Sequence, residues 1–512
     1  MSSELRDAWE KAGGSAPTHW DFVRFEDLLA DSKAIAVGVM YPGKHEISGI
    51  PLIKVSDVKN GAVVDEPDFC IEESVNHEYR RTMLHGNELL ITLVGNPGDC
   101  AIVDESMSGW NVARALAVVR LKDPSLRAWL RYVLLSNAAK HLISARLNTT
   151  VQKTLNLKDI RSLPIPIAPR GEINSIVEST SAIENKINTN HQINQTLEQM
   201  AQALFKSWFV DFEPVKAKIA ARARWQALQP DNESASPACY AAEFDERPAV
   251  DDLETTMNRA AMQAIAGKTA AQLDALREED PERYHELYET AALFSSMMQE
   301  SELGKIPEGW EITTFDKFAK LDSSSIKPSN NPEKIWEHYS IPAFDAGKAP
   351  ALDAGISIKS GKYKVKKTSV LISKLNPSTS RVWWPEPLDN ESAICSTEFM
   401  QFVPRSDNLR AFIAGMVSSA PFQAGVIASV TGSTGSRQRA QPKQVAKMDV
   451  VVPCEALALR YARQAQPLFT AQAKNISQSQ KLAELRDTLL PKLLSGELTP
   501  SEVEEAHAEA TA

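Results

Sequence analysis

The sequence predicts an α+β fold made of two α/β modules in tandem, each closed by a long helix. Three observations carry that prediction. A stretch near the N-terminus returns about 290 residues later with its segments in the same order. Within each copy, short β-branched or apolar runs bounded by Gly, Pro, Asn or Asp alternate with segments of helical spacing. Each copy then ends in a row of residues seven apart, the period of a coiled-coil seam.

The repeat has fixed anchors. Pro17, Trp20, Phe25 and Glu26 recur as Pro307, Trp310, Phe315 and Asp316, all displaced by 290. Ile50-Pro51 recurs as Ile341-Pro342, Leu90-Ile91-Thr92 as Leu371-Ile372-Ser373, and Asn96-Pro97 as Asn376-Pro377, displaced by 291, 281 and 280. Lys158, Ile160, Leu163, Ile165 and Ile167 match Lys443, Val445, Met448, Val450 and Val452 at 285, and Leu197, Met200 and Leu204 match Leu482, Leu485 and Leu489 at the same displacement. Two copies of so long a unit do not suit a solenoid, whose repeats run about 20 to 50 residues. Duplicated domains fit.

In chain order, strands are expected over 50–55, 88–94 and 113–121 in the first copy and over 369–375 and 399–403 in the second, with helical spacing over 126–147 and 408–428. The longest periodic pattern spans 173–209. Ile176, Ile183, Asn190, Leu197 and Leu204 fall seven apart, with Ile173, Thr180 and Ile187 as a second row, and Tyr461, Leu468, Asn475, Leu482 and Leu489 repeat the first. At about 1.5 Å per residue the first helix is roughly 54 Å long, more than either module needs to cover its core. Ile183, Asn190, Leu197 and Leu204 are expected to pair with Leu468, Asn475, Leu482 and Leu489. Asn190 and Asn475 share one seam position, where a buried amide fixes register if it finds a partner.

An insert separates the first helix from the second module. Its cues are helical: Thr269-Ala270-Ala271-Gln272 reads as a capping box, and Asp280 before Pro281 as an N-cap with Pro at the first helical position. Residues 239–303 carry 15 acidic and five basic side chains, which accounts for the whole net charge of −10. The insert is therefore placed away from any polyanion. Residues 232–248, rich in small and polar types, read as flexible.

Length and composition leave room for three or four domains, each able to bury a core. The five cysteines are odd in number and widely spaced, as in a reduced, cytosolic protein. No apolar run of signal-peptide or membrane-spanning length is present in the sequence. Residues 354–384 hold Lys359, Lys362, Lys364, Lys366, Lys367, Lys374 and Arg381 without an acid, and 408–448 add Arg410, Arg437, Arg439, Lys443 and Lys447. The two stretches suit a phosphate-facing surface or, equally, a solvated lysine-rich strand pair.

Catalytic motifs are missing. Gly267-Lys268-Thr269 has the tail of a phosphate loop, yet Met262 stands where the first glycine is needed. Asn96-Pro97-Gly98 and Asn376-Pro377-Ser378 lack the second proline and the aromatic of the Asn-Pro-Pro-aromatic methyltransferase loop, so they read as turns after strands. Glu184-Asn185-Lys186 has nuclease-like spacing, but it lies on the heptad helix, where outward, solvated charges are expected. The nine histidines show no metal-ligand spacing, and neither a metal nor a cofactor is expected.

The informative loops precede the last strand of each module. In the second, 431–439 sets Ser433, Thr434, Ser436, Arg437, Gln438 and Arg439 among flexible glycines; in the first, Thr149, Thr150, Gln152 and Lys153 take the equivalent place. Arg can bond guanine edges bidentately, Gln can bond adenine, and Ser, Thr and Lys serve phosphates. An ordinary polar loop has the same composition; recurrence at one place in both modules favours DNA contact. Lys158, Lys374 and Lys443 complete the candidate set.

With these features the chain resembles the specificity subunit of type I restriction-modification systems. The resemblance spans nearly the whole length and rests on the segment 202–214, Gln-Ala-Leu-Phe-Lys-Ser-Trp-Phe-Val-Asp-Phe-Glu-Pro, and on 301–310, Ser-Glu-Leu-Gly-Lys-Ile-Pro-Glu-Gly-Trp. It implies target-recognition domains at 1–168 and 304–453, each reading half of a split duplex site. Long helices at 169–214 and 454–498 would pair as an antiparallel coiled coil that sets the unread gap, with an acidic insert at 215–303 and a disordered tail at 499–512. It implies no catalysis by this chain: two modification subunits would bind S-adenosylmethionine and methylate adenine, and restriction subunits would translocate and cleave, in the cytoplasm and without a membrane. The rival expectations are a coiled-coil scaffold that binds no DNA and, less favoured, a self-sufficient methyltransferase.

Overall fold

The computed structural model describes residues 2–59, 61–64, 67–147, 154–227, 252–431 and 438–499. The chain divides into two compact units, residues 1–187 with 480–512 and residues 188–479. The flexible stretch expected at 232–248 and residues 500–512 of the expected tail lie outside the described residues.

The first unit is built on an antiparallel sheet in the order Ile35–Val37, Leu116–Val119, Leu89–Thr92, Cys100–Ile102. Alternate residues of a strand point to opposite faces, and here both faces are covered. Leu89 and Ile91 enter the main core, whereas Leu90 joins Ile53, Ala101, Val112 and Val118 in a second one. That is why Leu89-Leu90-Ile91 is an unbroken apolar run rather than an alternating one. Asp21–Arg24 pairs antiparallel with Pro164–Ile167, closing the start of the module on its end. A smaller sheet sets Ile50–Ile53 parallel to Asn111–Val112 and antiparallel to Cys70–Ile71.

The second unit repeats this plan. Its antiparallel sheet runs Ala319–Asp322, Phe399–Pro404, Val370–Ser373, Val382–Trp383, and Glu311–Thr314 pairs with Asp449–Val452. Val370 and Ile372 face one core and Leu371 another, as their counterparts do. The parallel pair is now Ile335–Tyr339 with Ala393–Cys395, inside a sheet of five strands instead of three. This corrects one anchor of the repeat: Ile341-Pro342 opens the short helix Ile341–Asp345, while the counterpart of strand Ile50–Ile53 is Ile335–Tyr339.

The helical stretches at 126–147 and 408–428 are each two helices rather than one. Arg127–Leu135 and Asn137–Ser144 meet at Ser136, and Arg410–Ser418 and Ala420–Ala428 meet at Ser419, both serines extended at ψ near 150°. Ser136 Oγ accepts the Ala139 amide as an N-cap, and Pro421 sits in the first turn after Ser419, where a missing N–H costs nothing. Apolar periodicity runs through both breaks, so it concealed them.

The insert is helical over Glu213–Ala227, Leu253–Ala266, Ala270–Glu279 and Pro281–Ala292, with the Thr269–Gln272 capping box and the Asp280 N-cap both formed. It has its own core of Ala261, Met262, Leu273 and Ala291. Its end is not helical: Met298–Ser301 makes a hairpin with Gly304–Pro307. Among the described residues, no single helix is long and apolar enough to cross a membrane, and no cluster of three His, Cys, Asp or Glu has metal-binding geometry.

Candidate nucleic-acid interface

In each unit one end of the main sheet is joined by the same backbone device to the segment that follows the candidate loop. The first unit has Leu93 donating to Ala115 O, Leu155 donating to Leu93 O, and Val94 bridged to Thr154. Asn96-Pro97-Gly98 turns the chain from Leu89–Thr92 into Cys100–Ile102, with the Thr92 hydroxyl donating to Asn96 O and Gly98 at φ +98°. The second unit has Leu375 bridged to Arg439, Ala440 donating to Lys374 O, and Asn376 donating to Gln438 O. Its turn places Asn376 at φ 46°, a left-handed conformation that asparagine tolerates better than most residues. Both Asn-Pro pairs are therefore strand-to-strand turns.

Thr149, Thr150, Gln152, Lys153, Ser433, Thr434, Ser436 and Arg437 lie outside the described residues. Among the others, Lys374, Gln438 and Arg439 come together at this sheet end. The Arg439 guanidinium is held by the Glu398 carboxylate through Nε at 3.0 Å and Nη2 at 2.9 Å, which keeps Glu398 below the usual carboxylate range. Lys158 and Lys443 are exposed on the equivalent short helices Leu157–Arg161 and Pro442–Ala446. No hydrogen bond or ion pair among the described residues joins either to the other candidates.

The basic stretches do not form one surface. Lys362 is buried and donates to Ser360, Arg381 is clamped by Asp345 at 2.7 and 3.0 Å, and Lys447 pairs with Asp316. Arg410 is buried against Glu386, Ser369 O and Pro385 O and lies 3.7 Å over the Trp384 ring. Lys366 and Lys367 precede strand Val370–Ser373 and share a cleft with Lys320 and Arg405 at the end of the sheet opposite Lys374.

The two long helices are Arg170–Phe209 and Glu455–Ser495. Within the first unit Ile176 and Ile183 share a core with Leu482, Leu489, Leu490 and Leu493. Within the second, Phe205, Trp208 and Phe209 pack on Leu457, Ala458 and Tyr461, with Leu204 beside them. Leu197 and Leu468 are half-buried. Asn190 is buried and donates to Gln478 Oε1 at 2.9 Å and Ser479 Oγ at 3.2 Å, while Asn475 donates to Asn194 Oδ1 at 2.9 Å. Since 194 and 479 are displaced by 285, these are one contact made twice across an antiparallel crossing. The two asparagines thus meet partners four residues from each other.

Glu184 is not the outward charge expected of it. It takes a bidentate bond from Arg131, which is 5% exposed, and a bond from the Tyr132 hydroxyl. Arg131 lies 53 residues away in the chain, so nothing local in the sequence announced the pair.

Residues 41–199 match the family model for the type I restriction modification DNA specificity domain. Over 451 residues, 82% of this chain and 88% of the relative, the sequence is 25% identical to the type I restriction enzyme HindI specificity subunit of Haemophilus influenzae. Over most of its length the chain is thus similar to type I specificity subunits. A second relative, the type I restriction enzyme EcoBI specificity subunit of Escherichia coli, is 27% identical over 42% of this chain and 44% of its own length. The type I restriction-modification S subunit of M. genitalium, a solved structure, aligns over 93% of this chain and 96% of its own at 13% identity and a TM-score of 0.45. The matched model is that of a DNA specificity domain, so recognition of DNA sequence is the role these similarities support. Glu398 and Arg131 are absent from the residues singled out on the sequence alone, while Arg410 and Glu184 are read there as part of a basic stretch and as an outward charge; the pairing of each is long-range and leaves no local signal.

Proposed function

We propose that this specificity subunit reads a bipartite duplex target, one half with residues 1–168 and the other with 304–453, and that its partners supply the chemistry. Two modification subunits bind S-adenosylmethionine and methylate adenine in the site, and restriction subunits translocate and cleave where they accompany them. One observation carries the reading. Equivalent sheets in both units hold, at the same end and by the same backbone bridge, segments that differ in sequence. A fixed frame with a variable edge is what reading two unlike half-sites asks for, because base contacts specify while the frame only positions.

The test is single-molecule methylation mapping of DNA from cells carrying this chain with its modification partner. The expected result is a split, adenine-methylated motif. Its absence, with the partner shown to be active, would overturn the proposal.

A further inference from the structure

The first unit carries a loop three of whose apolar side chains are left exposed by its own core. Between strands Ile35–Val37 and Ile50–Ile53 the chain exposes Met40, Tyr41 and Ile47, at 46, 75 and 88%. Apolar groups left in water at three places on one loop are uncommon unless a partner covers them. The loop itself is built firmly. At its start Val39 donates to Val112 O at 2.7 Å, Arg114 donates to Val39 O, and Gly38 sits so close to Val112 O that a Cβ would lie 2.2 Å from it. At its end Glu46 donates to Cys70 O and the Cys70 amide donates to His45 Nδ1. Both feet are tied, so the exposed side chains are presented in advance, which lowers the ordering cost of binding.

The topology says where the loop points. Ile35–Val37 and Leu89–Thr92 both run antiparallel to Leu116–Val119, so they end at the same edge of the sheet. That edge holds the Asn96 turn and the Val94–Thr154 bridge. Lys44 is exposed three residues after Tyr41, and Arg114, whose amide bonds Val39 O two residues before Tyr41, is exposed too, with Glu46 as the acidic side chain on the loop. An aromatic and a methionine on a loop that also exposes a cation, with a second cation on the segment bonded to it, is a combination that suits duplex DNA: the cations meet phosphates while the apolar group presses on sugars or enters an opened base step.

We infer that residues 40–47, with Tyr41 as wedge and Lys44 and Arg114 as phosphate contacts, form a second DNA-contacting element of the first unit. This rests on the DNA-reading function proposed above. The experiment measures binding of the full chain to a mixed-sequence 30-base-pair duplex by fluorescence anisotropy over a salt series. Tyr41→Ala is expected to weaken binding about tenfold and Tyr41→Phe to stay within about twofold, since the ring rather than the hydroxyl does the contacting. Lys44→Ala with Arg114→Ala should reduce the slope of log affinity against log salt by about two. Tyr41→Ala binding as tightly as the unaltered chain overturns the wedge, whatever the cationic pair does. No salt-dependent binding by the unaltered chain overturns the functional reading instead, and this one with it.

Discussion

Glu184 on the first long helix grips the Arg131 fork with both carboxylate oxygens, at 2.6 and 2.8 Å. Burial works against the Arg131 charge, yet the Glu184 carboxylate outweighs it and the guanidinium's pKa lies above its ordinary value. In the second unit the counterpart of Glu184 at the displacement of 285 is Phe469, and that of Arg131, by the matching helix starts at 127 and 410, is Ala414; both line one cavity, where Phe469 stacks on Trp384 at 4.7 Å. One position in the duplicated frame therefore carries a buried ion pair in one unit and an aromatic contact in the other.

Removing one partner of such a pair strands a buried charge, whereas removing both does not. Glu184→Leu alone is expected to destabilise the first unit by about 3–5 kcal/mol. Arg131→Met with Glu184→Leu should recover most of that loss. Urea unfolding of the two variants decides it; equal destabilisation by both would mean that packing rather than charge holds this contact.

The Asn190–Ser479 and Asn475–Asn194 contacts predict a trade between stability and register. Asn190→Leu with Ser479→Ala replaces a bonded polar pair by apolar groups, and is expected to raise the unfolding midpoint while letting the helices slip. Cysteines introduced along 188–209 and 455–479 report register by which pairs crosslink. A crosslink pattern identical to that of the unaltered sequence would show that the asparagines do not set it.

Lys218 is buried in the insert, donating to Phe294 O at 2.7 Å, and burial brings its pKa down to about 8. Below that pH the folded chain bears the full cost of a buried ammonium, roughly 3 kcal/mol, because the unfolded chain is protonated too. Between about 8 and the ordinary value of 10.5 the unfolded state binds the extra proton, so stability rises with pH across that window. The measurement is the stability difference between the unaltered chain and Lys218→Met from pH 7 to 10.5. It should move in favour of the unaltered chain as pH rises; a constant difference would place the titration elsewhere.

What was legible in the sequence follows from the range of the interactions. Strand Leu89–Thr92, the Asn-Pro turns, the Thr269 capping box and the heptad rows are all set by residues within about seven positions of each other, and all were readable. The breaks at Ser136 and Ser419 were not, because apolar spacing continues across them. Arg131–Glu184 and Arg439–Glu398 join residues 53 and 41 apart, so neither pairing shows in the local sequence: Glu184 reads there as solvated and Arg439 as a DNA contact. The false anchor at Ile341-Pro342 shows the converse: identical letters that a two-strand enlargement of the sheet moved into a helix.

Glu398 gives the last prediction. It accepts both arms of Arg439 and its own carbonyl accepts the Lys374 amide, so it stands at the foot of the second unit's variable edge. A carboxylate there repels phosphate but holds the guanidinium fork in one plane, the geometry that bidentate base reading needs. Arg439→Ala is expected to cost about tenfold or more in discrimination at the half-site read by this unit, leaving the other half-site unchanged. Glu398→Gln keeps the shape but loosens the fork, so discrimination at the same half-site should fall while affinity for mixed-sequence DNA rises slightly, a negative charge having been removed. Competition binding against duplexes altered in one half-site at a time, at fixed salt, separates these effects. Equal losses at both half-sites would make Arg439 a general phosphate contact and Glu398 an incidental neighbour.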